Sequence, residues 1–512
     1  MSPLEPSHRG TLRRGAGPIE VLAAAAASAL LLWIASPAVG IGALAWVALV
    51  PAALVALGAP ETRGARAVVP LAVSLHLELQ LVPALPFGIA ENQWGEPPLP
   101  VLVGDSPMAA AALVYVPALG ALLYALRFPQ PWPAGAARSG LVAVWVPALA
   151  WAALDLLRAR YDPAGLWGGL YVSQHSSAAA ALAAVGGPGV LTALQVAVGF
   201  GAALLVLRRR SALPATVSVA VALGATVVVA ERLGTPAGEP VVVAAAQPGY
   251  DTSEWEYGPV RYFAPGRRDL ARASSDVVAD LGALARKASG RGAEIVVWPE
   301  AVVWVDPYEE AGVRRELAML AAETKAVVVV PFFDPARAES AVLAALPSGR
   351  LTEPQPKQRP MWFLGERARD APARPLAGRS ARLGVLLGVD VQDAGSARAL
   401  AAAGATLLAS STHDWAELAT QQVALSRIAA AAVRLPLVRA DWRYASTIVD
   451  TDRRGRADGG LGRSRTVLVA TVHARSSDAP YLWVGDLLGW AGVVVLAVCW
   501  ALRRGSRLRA GA

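Results

Sequence analysis

Long apolar segments separated by short polar ones fill the first 230 residues, and one further apolar segment lies near the carboxyl end. Each is long enough, or nearly so with its flanks, to cross the hydrocarbon core of a bilayer. The pattern therefore predicts a membrane bundle of eight transmembrane helices. The segments are Val21 to Ala35, Ala38 to Ala59, Ala67 to Leu85, Met108 to Leu126, Gly140 to Leu157, Val190 to Leu207, Leu213 to Ala230 and Leu487 to Leu502.

Between the seventh and eighth apolar segments the pattern changes to short β-branched runs and amphipathic stretches. Strands alternating with helices predict an α/β layered domain. The chain thus divides into a transmembrane domain (1–235), an α/β domain (236–478) and a last helix with a basic tail (479–512). The expected strands are Val241 to Ala246, Glu294 to Trp298, Ala326 to Pro331, Ser340 to Ala345, Gly384 to Val389, Thr406 to Ala409, Leu437 to Arg439, Ser446 to Val449 and Thr466 to Val472, and the expected helices are Arg268 to Ser289, Glu309 to Thr324 and Thr420 to Arg434.

Composition and charge support the membrane interpretation. Hydrophobic residues make up 55% of the chain and the mean hydropathy is +0.42, which is too apolar for an ordinary soluble protein. Arginine clusters such as Arg208 to Arg210 recur in alternate loops, and the positive-inside rule places those loops and the amino terminus in the cytoplasm. Seven preceding spans then place residues 236–478 outside the cytoplasm.

The same features exclude several classes of partner and cofactor. The net charge is +8, yet no basic stripe with interleaved aromatic residues appears, so a nucleic-acid partner is not expected. Cys499 is the only cysteine, which excludes an internal disulfide framework and any metal site built from several cysteines. We therefore expect no metal and no cofactor.

Two pieces of the α/β domain carry candidate chemistry. Glu300, in Trp298-Pro299-Glu300, lies just past the end of a β-branched strand, where a general base would be exposed at a sheet edge; an ordinary acidic turn residue stays an open alternative. Lys357 precedes QRPMWFLGE, and its ammonium group could stabilise an oxyanion. Only three of the 47 basic residues are lysines, so a lysine here is notable, although a solvated loop lysine also stays open.

A third piece, RLGVLLGVDVQD at Arg382 to Asp393, is typical of a buried strand that enters a turn. The order of the three pieces resembles the nitrilase (C-N hydrolase) superfamily with its Glu, Lys and Cys triad. With seven membrane segments before the domain and one after it, nearly the whole chain resembles the apolipoprotein N-acyltransferase family. GLWGGLYVSQ at Gly165 to Gln174 and APYLWVGDLLGW at Ala479 to Trp490 are further pieces of that resemblance.

The resemblance implies an extracytoplasmic four-layer αββα sandwich on a bundle in the bacterial inner membrane. It also implies a mechanism in which a cysteine thiolate takes an acyl chain from a phospholipid as a thioester, and the α-amine of a lipoprotein resolves it. Glu300 matches the base, Lys357 the oxyanion lysine and Glu366 an acid that follows the lysine. The cysteine position falls on Gly388, and the usual Tyr-Glu after it falls on Val389 and Asp390.

Glycine has no side chain and cannot form an acyl-enzyme, so thioester catalysis is expected to be absent or altered. Further departures follow: the family's Ser-Asn-Asp-x-Trp becomes Ser411 to Trp415, and its next histidine is replaced by Gln421 or Gln422. Three interpretations stay open. The chain is a non-catalytic relative that binds phospholipid, lipoprotein or a partner membrane enzyme; a working acyltransferase that uses direct amine attack or a hydroxyl nucleophile (Ser410, Ser411 or Thr412); or a transporter or other membrane protein of unrelated fold.

Two ionisable residues, His76 and Glu78, fall inside a predicted membrane segment. An ionisable group there costs a few kcal/mol, which suggests a role towards the bundle interior or a lipid headgroup. A segment whose polar end reaches the membrane interface is the alternative, and the sequence does not decide between them.

Overall fold

The structure is a computed structural model, and it describes residues 16–58, 60, 62–81, 114–129, 139–161, 168–207, 209–234, 237–249, 270–361, 366–368, 371–372, 374–414, 416–452, 454–460 and 464–510. Parts of the predicted segments Ala67 to Leu85 and Met108 to Leu126, and of GLWGGLYVSQ and QRPMWFLGE, lie outside the described residues.

Apolar helices form the amino-terminal part of the chain and return at its carboxyl end. Five of the described helices are long and apolar enough to cross a membrane: Pro18–Ala35, Gly140–Tyr161, Pro188–Val206, Ala212–Arg232 and the segment Tyr481–Gly505. These five are consistent with a membrane protein, and the number eight stays a prediction. The helices are Pro18–Ala35, Val50–Gly58, Arg63–Leu81, Val116–Leu126, Gly140–Tyr161, Ala183–Gly186, Pro188–Val206, Ala212–Arg232, Tyr481–Val484 and Leu487–Ala510, with 3₁₀ turns at Gly42–Trp46, Leu170–Gln174 and Ala178–Leu182.

The predicted span Ala38 to Ala59 is not one continuous helix. It consists of the 3₁₀ turn Gly42–Trp46 followed by the nine-residue helix Val50–Gly58. At 1.5 Å per residue that helix is only about 14 Å long, too short to cross alone. At the start of this segment the Gly42 backbone packs directly on a neighbouring turn: an added Cβ would lie 2.1 Å from the Ser173 carbonyl oxygen, and Gln174 Nε2 donates to the Gly42 carbonyl at 2.7 Å.

The α/β domain contains two six-stranded sheets. The strands are β1 Glu239–Gln247, β2 Ile295–Val297, β3 Val327–Asp334, β4 Glu339–Ala345, β5 Gln355–Pro356, β6 Leu376–Ala377, β7 Arg382–Leu387, β8 Leu407–Thr412, β9 Leu437–Asp441, β10 Thr447–Val449, β11 Gly455–Asp458 and β12 Thr466–Ala474. The first sheet has the order β12-β1-β2-β3-β4-β5 and the second β11-β10-β9-β8-β7-β6. In each sheet the central strands, β1 to β3 and β7 to β9, are parallel.

Helices cover both outer faces, so the domain has four layers, αββα. The residues of β1 show the two-residue period that this requires: Val241, Val243 and Ala245 lie in the core between the sheets, whereas Ala244 and Ala246 pack under the outer helices Leu270–Ser289 and Ala311–Thr324. The helices Ala394–Ala402 and Ala416–Val433 cover the second sheet and share one apolar cluster with the membrane part. The second sheet therefore faces the membrane helices.

The sequence placed the main strands and helices of this domain well. The predicted strand Gly384 to Val389 extends too far, because β7 ends at Leu387 and the chain turns into the 3₁₀ segment Gly388–Gln392. The short strands β5, β6 and β11 and the helix Ala394–Ala402 were not predicted. Two-residue strands carry no periodicity that a sequence pattern could reveal.

Candidate active site

The predicted site residues meet at the carboxyl ends of parallel strands from both sheets. Glu300 follows β2 by three residues, Gly388 directly follows β7, and Thr412 ends β8. The backbone of Glu300 is held between the sheets: its N–H donates to the Thr412 carbonyl at 3.3 Å, and its carbonyl accepts from Trp442 Nε1 at 2.6 Å. These two hydrogen bonds, to residues in or directly after strands of the second sheet, thus fix the position of the Glu300 backbone.

Lys357 lies between two glutamates. Its Nζ is 2.9 Å from Glu300 Oε1 and 3.0 Å from Glu366 Oε2. Glu366 also accepts from Ser340 Oγ at 2.7 Å and from the Met361 N–H at 2.6 Å, so its carboxylate is fully hydrogen-bonded. The side chains of Glu300, Lys357 and Glu366 are all less than one tenth exposed. Lys357 is therefore a buried cation and not a solvated loop lysine.

Glu300, Lys357 and Glu366 form a buried triad, and charge and burial shift the pKa of each of its members. Burial raises the pKa of Glu300, and the opposing attraction of Lys357 does not cancel that effect, since Glu366 and Asp390 repel a second negative charge. Burial alone would lower the pKa of Lys357, but the surrounding carboxylates outweigh it and raise that pKa. For Glu366, burial is outweighed by Lys357 and by the Met361 and Ser340 donors, so its pKa falls. Glu300 is thus the carboxyl group of this triad that most readily takes a proton.

Asp390 organises the turn that follows β7. Its carboxylate accepts backbone N–H bonds from Leu387 at 3.0 Å, Gln358 at 3.3 Å and Arg359 at 2.7 Å. The turn at Gly388 is thereby bound to the loop that carries Lys357. Asp390 is 1% exposed, and it acts on the triad through its charge.

The pH dependence of stability should report on Asp390. Burial raises its pKa to about 6, despite the three backbone donors and Lys357. Between its unfolded value near 4 and about 6, the folded state holds more protons than the unfolded state, so this group's contribution to stability falls as pH rises through that window. We expect the stability advantage of wild type over Asp390→Asn to shrink by up to about 3 kcal/mol from pH 4 to pH 7. Thermal unfolding of both proteins across this range measures it, and a difference independent of pH would contradict the assignment.

The Glu300 carboxylate occupies the space beside Gly388 that a side chain would need. The φ of Gly388 is +46°, and an added Cβ would lie 2.4 Å from Glu300 Oε2 and 2.6 Å from Glu300 Oε1. These separations are well below ordinary van der Waals contact, so the carboxylate occupies the volume that a nucleophile at this position would fill. The carboxylate of Glu300, the expected base, therefore lies where the side chain of the expected nucleophile at position 388 would be.

The three candidate hydroxyl nucleophiles lie on β8, and they differ in their hydrogen-bond partners. The Oγ atoms of Ser410 and Ser411 are buried and, in the part of the chain that the structure describes, hydrogen-bond to no group. Thr412 Oγ1 donates to Asp441 Oδ2 at 3.0 Å. The neighbouring His413 is buried, and burial together with Arg443 lowers its pKa to about 3. His413 is neutral near pH 7, but among the residues that the structure describes its Nε2 has no hydrogen-bond partner.

A second buried charge network lies beside the triad, and the sequence analysis missed it. Arg439, which is 0% exposed, pairs with Asp414 and lies 3.9 Å from Asp441 Oδ2, while Asp441 accepts backbone N–H bonds from Arg443 and Tyr444. Burial raises the pKa of both aspartates. An arginine inside the apolar strand β9, with an aspartate two residues later on the same face, was the signal that could have revealed it.

The site is also connected to the membrane helices. Arg160, near the end of the helix Gly140–Tyr161, pairs with Asp486 at 2.7 Å and lies 3.6 Å from Asp393, which ends the turn after Gly388. His76 is 5% exposed and lines a cavity of about 10 Å³ together with Gln421. A volume of this size holds about one water molecule. His76 thus faces the bundle interior at the level of the α/β domain.

The structure places Lys357 in contact with both Glu300 and Glu366, Gly388 beside Glu300, and Asp390 in the turn after Gly388. Their catalytic roles stay predictions. The Ser340 hydroxyl, the Met361 N–H and the Arg439 network complete the site and were not predicted.

Comparison with known proteins gives matches among solved structures alone. No family model and no curated protein matches the chain. A variant of an amidase from Nesterenkonia, of the nitrilase superfamily, is 18% identical over 49% of this chain and 95% of that chain, with a TM-score of 0.35. A carbon-nitrogen hydrolase from Helicobacter pylori is 14% identical over 48% of this chain and 94% of that chain, with a TM-score of 0.38. A Saccharomyces cerevisiae protein, a member of branch 10 of the nitrilase superfamily, is 14% identical over 49% of this chain and 96% of that chain, with a TM-score of 0.35. These likenesses concern the fold of about half of the chain.

Proposed function

We propose that this chain is a membrane-embedded relative of the apolipoprotein N-acyltransferases that binds the substrates of that family without forming a covalent acyl intermediate. The ligands would be a phospholipid and the amino terminus of a lipoprotein, at the outer face of a bacterial inner membrane. The order of motifs, the αββα domain and five helices of spanning length support the relationship. A partner membrane enzyme that completes the chemistry is compatible with the same role.

The observation that carries the proposal is the contact between Gly388 and Glu300. An acyl-enzyme needs an atom on residue 388 that can attack a carbonyl carbon, and glycine has none. The Glu300 carboxylate fills that volume instead and is bound to Lys357 at 2.9 Å. Among the described residues, the Ser410 and Ser411 hydroxyls have no hydrogen-bond partner that could activate them. The Thr412 hydroxyl donates to Asp441, a carboxylate that belongs to the Arg439 network and not to the group around Lys357.

A second candidate function is acyl transfer by direct attack of the lipoprotein amine on the phospholipid ester. The buried pairs of Lys357 with Glu300 and Glu366 favour this function. A buried ion pair is costly to desolvate and adds little to stability, so a catalytic role explains these residues better than a structural one. Glu300, with its raised pKa, would take the proton from the attacking amine, and Lys357 would stabilise the oxyanion of the tetrahedral intermediate. As that intermediate collapses, the ester C–O bond breaks, the lysophospholipid leaves, and its oxygen takes the proton back from Glu300.

N-acylation of a lipoprotein in cells that lack any other N-acyltransferase distinguishes the two. The proposed function predicts no N-acyl chain, with wild type and with Glu300→Ala alike. The second candidate predicts N-acylation by wild type that Glu300→Ala abolishes.

A further inference from the structure

A cavity of about 410 Å³ lies between the membrane helices and the α/β domain. His175 and Ala184 line it from the membrane part, and Arg427 and Ala431 line it from the helix Ala416–Val433. The residues that line the cavity do not include Glu300, Lys357, Glu366, Gly388 or Asp390. This junction cavity is therefore separate from the site around Glu300, and nothing inferred below depends on the function proposed for that site.

The charges around the junction cavity leave a cation available. Asp450 also lines the cavity, but its carboxylate is satisfied by His473 Nδ1 at 2.8 Å and by Arg456 at 3.1 Å. Arg427 is different: its side chain is 20% exposed, its Nη2 contacts Thr447 Oγ1 at 3.2 Å, and its ion pair with the exposed Asp458 is 3.5 Å long. The Nε atom of Arg427 is buried and has no hydrogen-bond partner among the described residues.

An anion is the ligand that such a group accepts. A guanidinium group with a free N–H beside a small, partly apolar cavity suits a planar or tetrahedral oxyanion, and arginine binds phosphate oxygens through paired N–H donors. Burial, opposed by Asp458, lowers the pKa of Arg427, which shows that the charge is incompletely compensated. His175 adds an imidazole on the facing wall.

The position of the cavity indicates where the anion comes from. Gly234, which lines it, follows the helix Ala212–Arg232, and Arg434 Nη2 donates to the Leu233 carbonyl at 2.8 Å and the Gly234 carbonyl at 3.1 Å. Only 17% of the apolar window of that helix is fully buried in the protein, so one side of the helix is left at the protein surface. Val221 and Val228, seven residues apart on one face, are both more than half exposed.

We propose that the junction cavity binds a phosphate group, with Arg427 as its main donor, and that a membrane phospholipid lying along the helix Ala212–Arg232 supplies it. The phosphate would lie at the height where the helix leaves the bilayer, and the acyl chains would lie against the exposed valine face. The alanines of the cavity leave room for the headgroup without contributing charge.

Native mass spectrometry of the full chain in detergent tests this with three probes: phosphatidylglycerol, diacylglycerol with the same acyl chains, and inorganic phosphate. Arg427→Gln is expected to weaken phosphatidylglycerol binding about tenfold and to leave diacylglycerol binding unchanged, since only the former carries phosphate. Arg286→Gln is the matched control, because Arg286 forms an exposed pair with Glu323 on the outer helices.

Ala431→Phe provides a second variant that fills the cavity and removes no charge, and it should weaken phosphatidylglycerol binding as well. Thermal unfolding checks that each variant is folded. Equal binding of phosphatidylglycerol to wild type and to both folded variants would overturn the lipid site. If inorganic phosphate binding alone were lost in Arg427→Gln, the cavity would be an anion site for a soluble phosphate, and the lipid source would be wrong.

Discussion

Gly388→Cys is expected to convert this chain into a protein that carries an acyl thioester. The new Sγ would lie beside Glu300, whose raised pKa suits a proton acceptor, and within the turn that Asp390 holds. The Glu300 carboxylate must first move by about 1 Å, because an added Cβ lies 2.4 Å from its Oε2. The left-handed φ of +46° adds a cost of order 1 kcal/mol for a residue other than glycine.

The experiment is clean because the chain has one other cysteine. In a Cys499→Ser background, residue 388 carries the only thiol, and intact mass after incubation with phospholipid should increase by one acyl chain. Hydroxylamine should remove that mass, since it cleaves thioesters. Gly388→Ala tests the same steric change without a nucleophile and should gain no mass. A folded Gly388→Cys protein that stays unacylated would show that the rest of the site does not support acyl transfer.

Lys357→Met is expected to be the most destabilising single change in the site. It leaves Glu300 and Glu366 buried without their cation, and breaking a buried pair in this way costs about 3–5 kcal/mol. The loss should be smaller at pH 5 than at pH 8, because protonation of Glu300, whose pKa is already raised, removes the uncompensated charge. Thermal unfolding in detergent at the two pH values measures both effects.

Two further variants separate this effect from a general loss of a lysine. Lys287→Met changes an exposed lysine of the helix Leu270–Ser289 and should alter stability by no more than about 0.5 kcal/mol. The double variant Glu300→Gln, Lys357→Met removes one stranded charge and should recover part of the stability. If Lys357→Met behaved like Lys287→Met, the triad would not be a coupled buried network.

The triad could be predicted from the sequence, but the closure of its nucleophile position could not. Glu300 stood just past a predicted strand end, and Lys357 followed it in the order that the family resemblance gives, without a predicted strand of its own. The contact between Glu300 and Gly388 joins two sheets and depends on a side-chain direction that no local pattern encodes. The same holds for Ser340, which reaches Glu366 from β4.

For the apolar helices, too, the sequence predicted some features and not others. Hydrophobic runs predicted the helices Pro18–Ala35 and Pro188–Val206 closely, since length and apolarity decide them. The run Ala38 to Ala59 is also apolar, yet it is divided into the 3₁₀ turn Gly42–Trp46 and the helix Val50–Gly58, and Gly42 packs against Ser173, a residue distant in sequence. The apolar composition of a segment therefore predicted that it belongs to this group of helices, but not whether it forms a single helix.

The central claim is that this chain does not itself transfer an acyl chain. Its most direct test is mass spectrometry of the amino-terminal peptide of a lipoprotein, isolated from bacteria in which this chain replaces the resident N-acyltransferase. We expect a free α-amine with wild type, even when the protein is present in the membrane at the level of an active enzyme expressed in parallel. An N-acylated peptide that depends on this chain would instead mean that the chain transfers an acyl group, by direct amine attack assisted by Glu300 and Lys357.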